Sequence, residues 1–186
     1  MTKIMFNDKY GLTEAVLNGK KTQTRRVINM TDTDREYLDT AFDWDLRESV
    51  IIDRYANYKV GEVVAVAQKY SELEYGVGWV RRSINKEHVG WNNKMFVSAD
   101  EMPHHIRITN IRVERLQDIS NEDCMAEGIY EVKGGFDETN YAYKGIGNSM
   151  FGTARCAYMS LIDKVCGCYV WNQNPYVFVY EFVKED

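Results

Sequence analysis

The stretch "NPYVFVYEFV" near the C-terminal end constrains the fold more than any other part of the chain. In an extended conformation Tyr176, Phe178, Tyr180 and Phe182 fall on one side, and Pro175 stands at the start, where a missing N–H costs least. A row of large aromatic side chains needs a core, and a strand needs neighbours. The best-patterned neighbour lies much earlier: "HIRITNIRVERL" (105–116) alternates through Ile106 and Ile108, then resumes at Ile111 and Val113. The slip at Thr109–Asn110 predicts a β-bulge that re-aims the second half of the strand. "YKVGEVVAVAQKY" (58–70) predicts a further strand behind a glycine turn, with Val64 and Val66 on one face and Val63 and Ala65 on the other, so both faces are expected to be covered. These strands can meet only through long-range pairing, and no regular strand-helix-strand repeat runs between them. The expectation is a mixed α/β fold built on a small barrel of about five or six strands with flanking helices.

Three helices are expected around it. Residues 8–18 carry Leu12, Ala15 and Val16 on one face, with Asp8 as a candidate cap and Gly19 as a stop. In "SNEDCMAEGI" (120–129), Ser120 is a cap and Gly128 an end, which leaves Glu127 in the last turn. A carboxylate is unfavourable there, so its position invites a specific partner. Phe151, Ala154, Tyr158, Leu161, Ile162 and Val165 share a helical face over 149–165, stopped by Gly167. The remaining long stretches read as insertions in a single domain spanning 1–186. Residues 31–57 are irregular, with Thr31 or Thr33 as a possible helix cap. Residues 75–98 form a loop or hairpin carrying Trp79 and Trp91, and 130–147 form a flexible glycine-containing loop.

Composition narrows the function. The 186 residues are 45% hydrophobic and 27% charged, enough for a real core and against wholesale disorder. The formal net charge of -5 makes long duplex DNA an unsuitable partner, because such binding rests on neutralising many phosphates. Cys124, Cys156, Cys166 and Cys168 are not spaced as a metal knuckle or redox pair, and His104 and His105 have no acidic or thiol companions at ligand spacing. Neither a metal nor a cofactor is expected, and the thiols read as buried or half-buried in a reducing compartment. With no apolar leader and no apolar run long enough for a bilayer, the expectation is a soluble, cytoplasmic protein with no membrane partner.

Against this acidic background, "GKKTQTRR" (19–26) is the densest run of positive charge. It leaves a helix end, where the backbone repels anions, so any anion held here must be held by side chains. "AVLNGKKTQTRRVI" resembles the opening signature of the ASCH domain family, whose fold is similar to the PUA-like barrels associated with RNA. "YKVGEVVAVAQKY", "IRITNIRVERLQDISNEDCMAEGI" and "WNQNPYVFVYEF" resemble that family's later segments in the family's order, and the closing strand is similar to its phage-associated and bacterial branch. Gln68-Lys69 departs from the Arg-Glu pair of that branch, so no role is carried over to those positions.

The resemblance implies binding of RNA or a nucleoside-derived small molecule. It also implies, by likeness to the small amidohydrolases of N4-acetylcytidine, a catalytic trio at Lys21, Thr24 and Glu127. A threonine hydroxyl needs a neighbour to take its proton, and Lys21 or Glu127 would serve; Lys21 would otherwise stay charged and stabilise an oxyanion. Arg26 is a candidate for orienting the base or a phosphate. Lys20 and Arg25 are candidates for an outward, phosphate-steering rim, and Trp79 and Trp91 for stacking a base. Three readings follow. An RNA- or nucleoside-binding module expects a concave, locally basic site at Lys21, Arg25 and Arg26. A nucleoside amidohydrolase expects the trio to converge. An accessory protein of a phage or mobile element, working through protein contacts, expects the trio to be scattered and the insertions to form an apolar patch.

Overall fold

The structure, a computed structural model, describes residues 1–40, 43–73, 86–133, 138–147 and 149–185. Seven strands are present among these residues: β1 (Lys3–Ile4), β2 (Gln23–Val27), β3 (Val63–Val66), β4 (His105–Arg115), β5 (Tyr130–Lys133), β6 (Thr139–Ala142) and β7 (Tyr176–Glu185). The main helices are α1 (Leu12–Leu17), α2 (Asp32–Asp39), α3 (Trp44–Tyr55), α4 (Asn121–Ala126), α5 (Ala154–Cys166) and α6 (Val170–Gln173).

The centre of the molecule is the antiparallel pair of β4 and β7, the two longest strands. They pair from His105 with Glu185 to Arg115 with Tyr176, and the register shifts between Ile108 and Asn110, where the extra residue was expected. The bulge sets Ile108 opposite Phe182 and Ile111 opposite Tyr180. Both halves of β4 therefore turn isoleucine to the core although an odd residue separates them. In β7 the burial runs unbroken from Tyr176 to Tyr180, so the valines between the aromatics are covered too. β3 is likewise covered twice, with Val64 and Val66 in the main core and Ala65 in a second cluster with Tyr70, Val97 and Met102.

The sheet does not close. Its order is β1-β3-β4-β7-β2, with β1 parallel to β3 and every other pairing antiparallel. The expected ASCH/PUA-like barrel is therefore corrected to an open five-stranded sheet with a separate two-stranded one. The reason is length. A barrel needs every strand to find two neighbours at a common tilt. β1 has 2 residues and β3 has 4, and β3 reaches only His105, Ile106 and Arg107 of β4. That strip is too short to carry the sheet round to β2.

Helices and loops cover what closure would have covered. Residues 31–57 were expected to be irregular, yet they fold into α2, capped by Thr31, and α3, capped by Asp43. From α3, Glu48 Oε1 accepts the Val113 N–H of β4 at 2.5 Å, and Ile51 is fully buried. Residues 130–147 were expected to be a flexible loop, but they contain the β5–β6 hairpin, anchored by a bridge between Tyr141 and Phe151. α5 is capped by Thr153 and buries Ala154, Ala157, Tyr158, Leu161 and Ile162, the face its spacing predicts. Its first turn starts later than expected, at Ala154. α1 likewise starts at Leu12, with Gly11 and not Asp8 in the capping position.

Candidate functional site

The site begins where α1 ends. Gly19 takes φ 68°, a left-handed conformation that a residue without a Cβ adopts freely, and its N–H closes on Val16 O. The N–H groups of Lys20 and Lys21 then both donate to Ala15 O, at 2.8 and 3.0 Å. Thr22 N–H donates to Ala126 O at the end of α4, and Thr22 O accepts from Phe182 N–H. The turn is thereby fixed between α4 and β7 before β2 starts. Lys21 lies inside it, 2% exposed.

α4 delivers the partner. Ser120 caps it by accepting the Asp123 N–H at 3.0 Å. At its other end Gly128 N–H donates to Met125 O and Ile129 N–H to Cys124 O, a paired closure that requires the left-handed φ of 105° found at Gly128. Glu127 stands just before that turn, 4% exposed. Lys21 Nζ donates to Glu127 O at 2.9 Å and to Glu127 Oε2 at 2.5 Å. A buried ammonium answers both the helix-end carbonyl and the carboxylate beside it, which accounts for an acidic residue at an unfavourable helix position.

Arg25 completes a buried ionic cluster. Its side chain is fully shielded; Nε donates to Glu114 Oε1 at 2.8 Å, one terminal nitrogen to Asp123 Oδ2 at 2.7 Å, and the other to Glu127 Oε1 at 3.2 Å. Arg112 grips the same Asp123 and Glu114 from β4. These contacts set the protonation states. Burial works against the charge on Arg25, but the carboxylate of Glu127, with Glu114, holds its pKa above the usual guanidinium value. Burial likewise opposes ionisation of Asp123, and Arg25 with Arg112 overrides it and keeps the carboxyl below its ordinary value. For Lys21 burial wins: it pulls the ammonium below its ordinary pKa, helped by Arg26 and Arg25, while Glu127 pulls the other way.

A cavity of about 430 Å³ opens beside this cluster. Lys21, Thr24, Arg25, Arg26, Glu127 and Tyr158 line its polar side, and Phe6 with Leu161, Ile162 and Val165 of α5 contribute apolar wall. Thr24 is 5% exposed. The trio is thus brought to one cavity, with Lys21 and Glu127 bonded directly, and is not scattered. Arg26 is half-buried; it donates to Met5 O at 2.6 Å and lies 5.8 Å from the Phe6 ring. Arg25, expected on an outward rim, points inward and is spent on carboxylates. Lys20 is exposed and lines a separate cleft of about 120 Å³ with Tyr10 and Gly128. Trp91 packs on the second core cluster with Ala65 and Tyr70 and is not in the cavity wall. Trp79 lies outside the described residues.

One site residue was read only as core. Tyr158 is 1% exposed, lines the cavity, and among the described residues its hydroxyl has no hydrogen-bond partner. Its helical spacing explains it fully as packing against Trp171, whose ring stands edge-on at 6.3 Å, so no sequence signal marks the hydroxyl. Burial and the nearby Glu127 carboxylate push its pKa well above the ordinary phenol value, although Arg25 opposes them. Among the described residues no three His, Cys, Asp or Glu side chains gather as metal ligands; Glu114, Asp123 and Glu127 converge on Arg25. Cys124 is buried, its thiol pushed up to about 12 by burial, whereas Cys156, Cys166 and Cys168 are exposed, contrary to expectation. Among the described residues no helix is long and apolar enough to cross a membrane. No family model matches the chain, and no curated protein or solved structure matches it.

Proposed function

We propose that the cavity binds a small nucleoside-type ligand and that Lys21, Thr24 and Glu127 remove an acyl group from it by hydrolysing an amide. The observation that carries this reading is the meeting of Lys21 and Glu127 as a buried, directly bonded pair in the wall of a cavity that Thr24 also lines. Structural ion pairs occur in many proteins; one that shares a cavity wall with a threonine hydroxyl supports a proton-transfer role more than one in a sealed core does. The likeness of "AVLNGKKTQTRRVI" to the ASCH signature supports the nucleoside class.

Size and charge favour a single nucleoside over an RNA chain. The cavity volume falls within the range of about 300–1,000 Å³ common to small-molecule sites. Lys21 and Arg25 are already neutralised, Arg25 by three carboxylates and Lys21 by Glu127, which among the described residues leaves Arg26, bonded to Met5 O, as the cation of the cavity wall without a carboxylate. A phosphate backbone would find a single such charge there, too few to hold a chain.

In this reading the Thr24 hydroxyl attacks the acyl carbon and its proton passes to the Lys21–Glu127 pair. The tetrahedral intermediate collapses, the amine leaves with that proton, and the acyl group stays as an ester on Thr24. Water then attacks the ester, gives a proton to the pair, and releases the carboxylic acid as Thr24 takes the proton back. Amide and water become amine and acid, with the protein restored.

The test is acetate release from N4-acetylcytidine by the parent, Thr24→Val and Glu127→Gln, each checked for folding by circular dichroism. The parent turns over, and each folded variant loses at least about 100-fold in kcat/KM. A folded parent that releases no acetate removes the hydrolytic step. A parent that neither binds nor cleaves the nucleoside removes the whole reading.

A further inference from the structure

We infer that Tyr158 is a ligand-binding residue whose phenol O–H donates a hydrogen bond to a carbonyl oxygen of the molecule in the cavity; the nucleoside identity of that molecule rests on the reading above. Among the described residues the phenol oxygen is a fully buried polar atom of a cavity-lining side chain that is left without a partner. Buried hydroxyls in folded proteins are nearly always satisfied, and an orphan needs an explanation. Packing supplies none. A phenylalanine at this place on α5 would fill the same space beside Trp171 without burying an unpaired hydroxyl.

No neighbour among the described residues bonds to it, and the charged groups beside it pair with one another. Arg25 distributes its donors over Glu114, Asp123 and Glu127. Both carboxylate oxygens and the carbonyl of Glu127 accept from Arg25 and Lys21. Two of the three ammonium protons of Lys21 are used by Glu127. Within the ionic cluster and its phenol neighbour, the unspent protons are those of the phenol and the remaining ammonium position, in a wall that also carries the Thr24 hydroxyl and the Asn7 and Gln173 amides. The Glu127 carboxylate nearby disfavours loss of the phenol proton, so the group keeps its donor role at neutral pH. A neutral acceptor fits this wall and the apolar side of α5 opposite, and a carbonyl oxygen is such an acceptor.

The decisive variant is Tyr158→Phe, which deletes only the oxygen. Because that oxygen bonds nothing in the unliganded protein, thermal unfolding of the variant is expected at the parent Tm or above it. A lowered Tm would show a structural partner and overturn the inference whatever the ligand. With Tm held, titration calorimetry with N4-acetylcytidine, run in the Thr24→Val background so that turnover adds no heat, is expected to show binding weakened about 10-fold by Tyr158→Phe. Equal affinity with and without that substitution would overturn it. If the parent does not bind N4-acetylcytidine, the nucleoside reading falls separately, and cytosine, uracil, acetanilide and N-methylacetamide are compared by thermal shift. A carbonyl probe that stabilises the parent and not the variant upholds the role of Tyr158. No such probe in the set overturns it.

Discussion

At the scale of single residues, the Lys21–Glu127 pair is costly to bury and more costly to break. Two charges removed from water are repaid only by mutual attraction and by their remaining hydrogen bonds, so removal of either partner strands the other. Lys21→Met is expected to cost about 3–5 kcal/mol, because it leaves Glu127 facing only Arg25 in a closed environment. Glu127→Leu is expected to cost a similar amount through an unpaired Lys21. The double variant tests whether the pair is there for stability. Arg25 would keep Glu114 and Asp123, so the double change removes one charge of each sign without orphaning a third group. Urea unfolding of the four proteins is expected to place the double variant within about 1–2 kcal/mol of the parent, well above either single. Additive losses would mean that each residue has separate structural work, and the case for a pair kept for its chemistry would weaken.

At the scale of elements, the site depends on how two short helices stop. α1 ends so that Lys21 turns inward, and α4 ends so that Glu127 O and its carboxylate face Lys21 together. Gly128 makes the second stop at φ 105°. A methyl group there would meet Leu12 Cδ2 at 3.4 Å and Lys21 Cδ at 3.8 Å, ordinary contact distances, so space is not the obstacle. The backbone is. Gly128→Ala is expected to cost about 1–2 kcal/mol and to lower Tm by roughly 2–8 °C. Scanning calorimetry measures it, and an unchanged Tm would show that α4 can end another way. This stop, the bulge in β4 and the cap at Ser120 were all legible in the sequence because each depends on residues within one turn of itself. The failure to close a barrel was not legible. It depends on β1 and β3 being too short to extend the sheet, and strand length at an edge is set by what the neighbour offers. The two helices in 31–57 were hidden for a related reason: only Leu38 and Ile51 are buried, so they carry little apolar pattern to read.

At the scale of the whole molecule, the candidate site is a product of long-range assembly. Lys21 comes from the turn after α1, Thr24 from β2, Glu127 from the end of the helix after β4, and Tyr158 from α5. The sequence marked Lys21, Thr24 and Glu127 as residues that belong together through resemblance. It did not mark the inward turn of Arg25, because a basic run looks the same whether it faces solvent or carboxylates far along the chain. That difference decides the electrostatics. The chain carries a net charge of -5, and half of the basic run, Lys21 and Arg25, is consumed by Glu114, Asp123 and Glu127. A ligand entering the cavity therefore meets an acidic protein with Arg26 as the cation of the wall left without a carboxylate among the described residues. Binding through phosphates would release counterions, and an affinity resting on about six to ten such contacts falls about 10³–10⁵-fold between about 50 and 200 mM salt. Binding of a neutral nucleoside releases none. The affinity for N4-acetylcytidine, by titration calorimetry over that salt range, is expected to change by less than about twofold. A short single-stranded RNA is expected to bind no more tightly at the low end than the nucleoside does. A steep salt dependence would show that phosphates reach positive charge after all, and it would return the site to the RNA-binding reading.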